Sequence, residues 1–185
     1  MIKAKATISN KTQKEIASHN LKLGTSFEAM IIRGCQWYQK HDIAVINKCP
    51  EPFHVISRTP DGRFIGRFGT SKAQPDFQGT LKNGRSFVAE AKATSTDRLS
   101  QNIITDKQAK LLEQHEQMGA YCCIICKIQE QTFVVPWDVW KNMKGIYGRK
   151  YVTQKDIAQY LIPEKYKRNS CPFLYFVFNE LKTGE

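Results

Sequence analysis

The stretch Pro75–Lys92, PDFQGTLKNGRSFVAEAK, constrains the fold more than any other part of the chain. Two β-rich runs flank Asn83-Gly84, the strongest short-range signal for a hairpin. Side chains alternate along a strand, so Glu90 and Lys92 share one face while Phe87, Ala89 and Ala91 take the other. A plain two-residue Asn-Gly loop would pair Asp76 with Ala91, put the acid on the wrong face, and set Phe77 and Leu81 against Val88. One extra residue cures both faults. The pattern therefore predicts a three-residue loop or a bulge, with Gly79 or Gly84 supplying the unusual backbone, and the convergence of Asp76, Glu90 and Lys92.

Two carboxylates held that close repel each other and are kept ionised by a cation. An arbitrary Asp…Glu-x-Lys is more often a cross-strand ion pair on a solvated face. At the open end of a hairpin the same residues gain a second use. Hard oxygen ligands on rigid strands suit Mg²⁺ or Mn²⁺, and a lysine two residues beyond the glutamate can orient water at such an ion.

The spacing resembles the core of the PD-(D/E)XK nucleases, with Pro75-Asp76 as its first half and Glu90-Ala91-Lys92 as its second. The flanking segments Gly24-Thr25-Ser26-Phe27-Glu28, Ile43–Lys48 and Pro50-Glu51-Pro52 bring the match closer, to the RecU-type Holliday junction resolvases. Asp106-Lys107-Gln108 and Gly148-Arg149-Lys150 downstream are similar too, so the resemblance covers roughly residues 22 to 176. One departure is Pro75 itself, because a hydroxyl residue usually precedes the aspartate in that family. The resemblance implies a restriction-endonuclease-like α/β fold, a mixed β-sheet flanked by helices with a protruding basic stalk. It implies a structure-selective endonuclease that resolves four-way DNA junctions and leaves 5′-phosphate ends. Asp76 and Glu90 would hold one or two Mg²⁺ ions per subunit, with Mn²⁺ able to substitute and the Ala91 backbone carbonyl as a further ligand. Lys92 would orient the attacking water, Glu28 would reach the metal from the first helix, and Gln108 would support the site. Paired nicks in symmetry-related strands call for a two-fold homodimer.

Composition agrees with such a partner. The 185 residues suit one domain with a real core, and a formal charge of +11 favours polyanions, nucleic acid first. Six cysteines raise the question of disulfides, but Cys122, Cys123 and Cys126 lie in an apolar run and read as buried, reduced thiols. None of the four histidines shows paired metal-ligand spacing. There is no signal-peptide core, no run near the ~20 apolar residues of a membrane span, and no G-x-x-x-x-G-K-[ST] loop for a nucleotide cofactor. The expected setting is the cytoplasm, at the nucleoid if the host is a bacterium or a phage encodes the chain.

In chain order, residues 1–22 carry five lysines against Glu15 and read as a flexible basic arm, either touching DNA or merely solubilising, ahead of one domain over 23–185. Thr25 and Glu28 have capping-box spacing, which predicts a helix opening there with Phe27, Ile31, Cys35 and Tyr38 on its inner face. Ile43–Asn47 and Phe53–Ser57 read as buried strands. Arg58–Ala73 then sets Arg58, Arg63, Arg67 and Lys72 against Asp61 alone, with Phe64, Ile65 and Phe68 interleaved and Pro60-Asp61-Gly62 as a turn. Aromatics among arginines suit exposed bases, and the resemblance makes this ribbon the stalk inserted at the junction centre. Thr94–Asn102 reads as a polar loop. Thr105 with Gln108 opens a helix that Gly119 stops, and Gln108 is there either a plain N3 cap or a site residue. Ala120–Lys127 and Thr132–Val135 form a second hairpin that completes a sheet of about five strands. Trp137 and Trp140 read as core, Gly145–Arg168 as a second basic tract, and Pro172–Phe178 as a closing element or dimer contact.

Two other functions fit the same sequence. One is a noncatalytic junction-binding protein whose acids only support the fold. The other is a PD-(D/E)XK nuclease acting on linear duplex DNA.

Overall fold

Period-2 patterns leave both faces of the central strands apolar, so a layer must cover each face. The computed structural model describes residues 10–69, 74–163 and 173–174, with side chains from residue 23 onward. Its five-stranded sheet runs in the order β1 (Ala44–Lys48), β4 (Phe77–Leu81), β5 (Ser86–Thr94), β7 (Tyr121–Ile128), β8 (Gln131–Pro136). Only β5 and β7 are parallel neighbours in it, and the crossover that such a pair requires carries α2 (Asp106–Gln117). The fold is the mixed α/β sheet with flanking helices that the sequence implies.

On one face Phe77, Phe87, Ala89, Ala91, Cys123 and Ile125 pack against α1 (Asn10–Lys40) through Phe27, Ile31, Cys35 and Tyr38. On the other, Val88, Ile124 and Cys126 meet Leu112 of α2 together with Trp137 and Trp140 of α3 (Trp137–Lys141). Both tryptophans are core residues, as expected. Phe173 and Leu174, the described part of the apolar C-terminal segment, are buried against the α1 face, where the Leu174 N–H donates to the Tyr38 hydroxyl at 3.0 Å.

The hairpin has the extra residue. Phe77 pairs with Ala89 and Thr80 with Ser86, leaving Lys82-Asn83-Gly84 as a three-residue loop closed by the Leu81 N–H on the Arg85 carbonyl at 2.9 Å. Gly84 supplies the left-handed backbone, at φ +83°. Gly79 serves another end, since a Cβ there would lie 2.0 Å from the Val45 carbonyl oxygen. Its bare backbone lets β1 approach.

Four expectations need correction. The helix does not open at Thr25: α1 starts at Asn10, so residues 10–22 of the expected arm are helical backbone, while residues 1–9 lie outside the described residues. Good helix formers precede Gly24, and packing of the next turns on the sheet outweighs a local capping signal. Phe53–Ser57 is not a buried strand. It belongs to β2 (Phe53–Arg58), exposed at every position and paired with β3 (Phe64–Phe68) in a separate two-stranded sheet. The stalk ribbon thus begins five residues earlier than Arg58. Lastly, Thr94–Asn102 is not all loop, because β6 (Arg98–Ser100) pairs with β9 (Tyr151–Thr153), which follows α4 (Met143–Tyr147). An apolar run such as Phe53–Ile56 reads the same whether or not a layer covers it, and a three-residue strand such as β6 is too short to show alternation. No helix among the described residues is long and apolar enough to cross a membrane.

Candidate active site

The three-residue loop sets Asp76 opposite Glu90, one step beyond the Phe77–Ala89 pair. Both side chains, with Lys92, stand on the α2 face, because each is an even step from Val88 across the pleat. Among the described residues four polar side chains are buried, and three of them, Asp76, Glu90 and Gln108, meet here. Buried polar groups cluster only where they satisfy one another or await a partner.

Lys92 Nζ lies 2.9 Å from Glu90 Oε2 and 3.6 Å from Asp76 Oδ2, so one ammonium bridges the two acids. Asp76 Oδ2 also accepts the Ala91 N–H at 2.9 Å. Gln108 Nε2 donates to Glu90 Oε2 at 2.5 Å. The same Gln108 closes the capping box of α2: its Oε1 accepts the Thr105 N–H at 3.1 Å, and its N–H reaches Thr105 Oγ1. The capping arrangement therefore also aims the amide at Glu90 of β5.

Glu90 is 1% exposed, and its Oε1 has no hydrogen-bond partner among the described residues. Burial pushes its carboxyl up to about 7, Lys92 opposes that shift, and the nearby charge of Asp76 adds to it. Among the described residues its ion-pair partner is Lys92, which it shares with Asp76.

Family comparison supplies the identity. The model of the family described as "RecU: Recombination protein U" matches residues 22–178, most of the chain. The chain belongs to the RecU family of Holliday junction resolvases. Members of this family are endonucleases that bind branched DNA. Among curated proteins none matches the sequence. A solved structure of Archaeoglobus fulgidus Hjc, a Holliday junction resolvase from an archaeal hyperthermophile, is similar at 12% identity and TM-score 0.46, covering 74% of this chain and 93% of that one.

The RecU-type residues do not all converge. Glu28 projects from α1 on the opposite face of the sheet and pairs with Lys48 at the end of β1. Among the described residues no group of three His, Cys, Asp or Glu side chains forms a ready-made ion shell. Of the stalk residues, Arg58 lies over the Phe64 ring at 4.6 Å, Arg63 pairs with Asp61 at the tip, and Arg67 and Phe68 are exposed on β3. Lys72 lies outside the described residues.

Two neighbours of the site escaped the sequence reading. Lys48 is the partner of Glu28, and Cys49 sits beside the acids, its N–H donating to the Asp76 carbonyl at 2.9 Å. Burial, then the charges of Asp76 and Glu90, push the Cys49 thiol up. The signal was the Lys48-Cys49 step leaving β1, legible only once β1 is known to pair with β4.

Proposed function

We propose that this chain is a divalent-metal-dependent endonuclease that cuts four-way DNA junctions by paired, symmetric nicks, leaving 5′-phosphate ends, and that it acts as a homodimer with one site per subunit. The observation that carries the reading is Glu90 Oε1, buried without a hydrogen-bond partner among the described residues on a carboxyl that faces Asp76. Oxygen donors on rigid strands fit a hard cation, so Asp76 and Glu90 would hold Mg²⁺, or Mn²⁺ in its place. The Ala91 carbonyl is a further donor. Its own N–H points to Asp76, an extended residue turns both groups the same way, and Pro75 opposite has no N–H to occupy that carbonyl.

When bound, the ion lowers the pKa of a coordinated water and offsets the phosphate charge. The residues of the chain do the rest. Lys92, fixed between both acids, orients the attacking water and offsets charge on the phosphate oxygens. Gln108 holds Glu90 Oε2, which keeps the other oxygen turned to the ligand side. Glu28 joins from the opposite face when it leaves Lys48. Arg58, Arg63, Phe64, Arg67, Phe68 and Lys72 engage the branch point through charge and stacking.

The test is cleavage of a labelled four-way junction with Mg²⁺ and with chelator. Cut products in the first tube alone, abolished by Glu90→Gln, are expected. Undiminished nicking by purified Glu90→Gln overturns the site, and binding without any cleavage leaves the noncatalytic alternative.

A further inference from the structure

The small β6–β9 sheet takes no part in the carboxylate site, yet its two faces differ sharply. Register pairs Leu99 with Val152 and Ser100 with Tyr151. Leu99 and Val152 are buried and pin the sheet to the core. Alternation then puts Arg98, Ser100 and Tyr151 on the opposite face. There the guanidinium carbons of Arg98 and Arg149 lie 5.3 Å and 4.8 Å from the centre of the Tyr151 ring.

Two cations thus share one aromatic ring, and their compensation is unequal. Arg149 is held by Asp156 at 2.6 Å and by the Tyr147 carbonyl at 3.2 Å. Arg98 pairs with its chain neighbour Asp97 at 3.1 Å, with both side chains more than half exposed, a pair worth little in water. Lys150 is exposed at the end of the sheet, tied there by its carbonyl, which accepts from Gln101 N–H and Ser100 Oγ. Lys144 is exposed on α4, which packs against β9. An anion between these cations relieves their repulsion. A row of phosphates suits them better than one ion, because the charges sit at separate points around the sheet rather than about one centre. Lys150 also lines the adjoining cleft of about 440 Å³, beside Asp106, Trp140 and Lys141, so it stands on the cleft side of the sheet's end.

The sheet is well placed for DNA. β6 follows β5, the strand of Glu90 and Lys92, after three residues, and the turn beyond it leads into α2 and Gln108. We propose that the outer face of β6–β9 is a second DNA-binding surface, a cradle in which Arg98 grips the phosphate backbone of a duplex arm over a floor of Tyr151 and Arg149, with Lys150 adding its charge from the cleft side of the sheet's end. It rests on the nuclease reading for its ligand, and it divides the labour. The ribbon reads the branch, and the cradle holds an arm without regard to sequence.

The test uses the full chain carrying Glu90→Gln to stop cutting, with Arg98→Gln, Lys150→Gln and both together. Binding to labelled linear duplex and to four-way junction is followed by fluorescence anisotropy from about 50 to 200 mM salt. The slope of log affinity against log salt should shrink by about 0.9 for each phosphate no longer neutralised, equally on the two DNAs. Arg98→Lys should restore most of it. Thermal melting of each variant confirms the fold, and both substitutions are at exposed side chains. An unchanged slope and affinity in the double variant overturns the cradle, as does a weakening confined to the junction. Failure of the wild-type chain to cut junctions in Mg²⁺ would sink the nuclease reading while the slope still decides the cradle.

Discussion

The β4–β5 hairpin and the β2–β3 ribbon are both antiparallel pairs closed by a short turn containing glycine, and they are held together by opposite means. In the hairpin Phe77, Phe87 and Ala89 are fully buried, and alternation forces the intervening acids into one walled position. In the ribbon every residue of β2 is exposed, Ile56 by 67%, as is Phe68 of β3 by 63%, with no core beneath among the described residues. Its cohesion is local: the Phe53–Phe68 ring contact, Arg58 over Phe64, and the ladder between. A two-stranded pair of that kind is marginal alone in water. Burial makes a site rigid and charge-sensitive. Exposure of aromatics leaves a surface that gains by meeting flat, apolar partners such as unstacked bases.

If the two regions divide chemistry from recognition, damage to each should separate cleanly. Asp76→Asn or Glu90→Gln should abolish cleavage in Mg²⁺ while junction binding in a gel-shift assay is retained or tightened, since a buried negative charge is removed. Phe64→Ala combined with Phe68→Ala should spare nicking of linear duplex and lower the preference for junction over duplex by tenfold or more, as stacking is worth about 1–3 kcal/mol per base. Equal loss on both DNAs would mean the ribbon serves the catalytic site. Gln108→Glu sharpens the division further. Glutamate is an accepted N3 partner in a capping box, so the cap is kept, although a third carboxylate against buried Glu90 lowers stability, which thermal melting reads beside the cleavage rate. It cannot donate to Glu90, however, and cleavage should drop about 10–100-fold, as for outer partners of ion ligands. A variant as active as wild type would reduce Gln108 to a cap.

The same contrast explains what was legible in the sequence. The three-residue loop, the shared face of Asp76, Glu90 and Lys92, and the Thr105–Gln108 box could be read because each follows from a short-range rule of period or spacing. The ribbon's turn was readable for the same reason. Its first strand was not, since Phe53-His54-Val55-Ile56 has the composition of core and nothing local says that no layer covers it. Glu28 shows the limit from another side. Its cap spacing with Thr25 was real in the sequence, but α1 runs through from Asn10 and hands that carboxylate to Lys48, a residue twenty positions away. The β6–β9 pair joins segments about fifty residues apart, and no pattern within either one announces the other.

The smallest effect is one of stability, and its sign separates a buried site from an exposed one. Between the usual 4.5 and about 7, folded Glu90 keeps a proton that the unfolded chain has lost. Stability from this group is therefore greatest below pH 4.5, falls as pH rises to 7, and is flat above. Glu90→Gln removes that loss, so it should match wild type in acid and exceed it at pH 8. The gain should be on the order of 1–3 kcal/mol, held down because Lys92 gives up its 2.9 Å partner, and about 2–4 °C per kcal/mol in thermal unfolding. Mg²⁺ added at pH 8 should narrow the gap by stabilising wild type alone, since the cation supplies positive charge. The ribbon offers the control. Arg63→Gln, at an exposed pair with Asp61, should leave stability nearly unchanged with or without Mg²⁺. A Glu90→Gln protein less stable than wild type at pH 8 would mean the carboxylate is already fully compensated by Lys92 and Gln108, leaving a structural ion pair where an ion site is proposed.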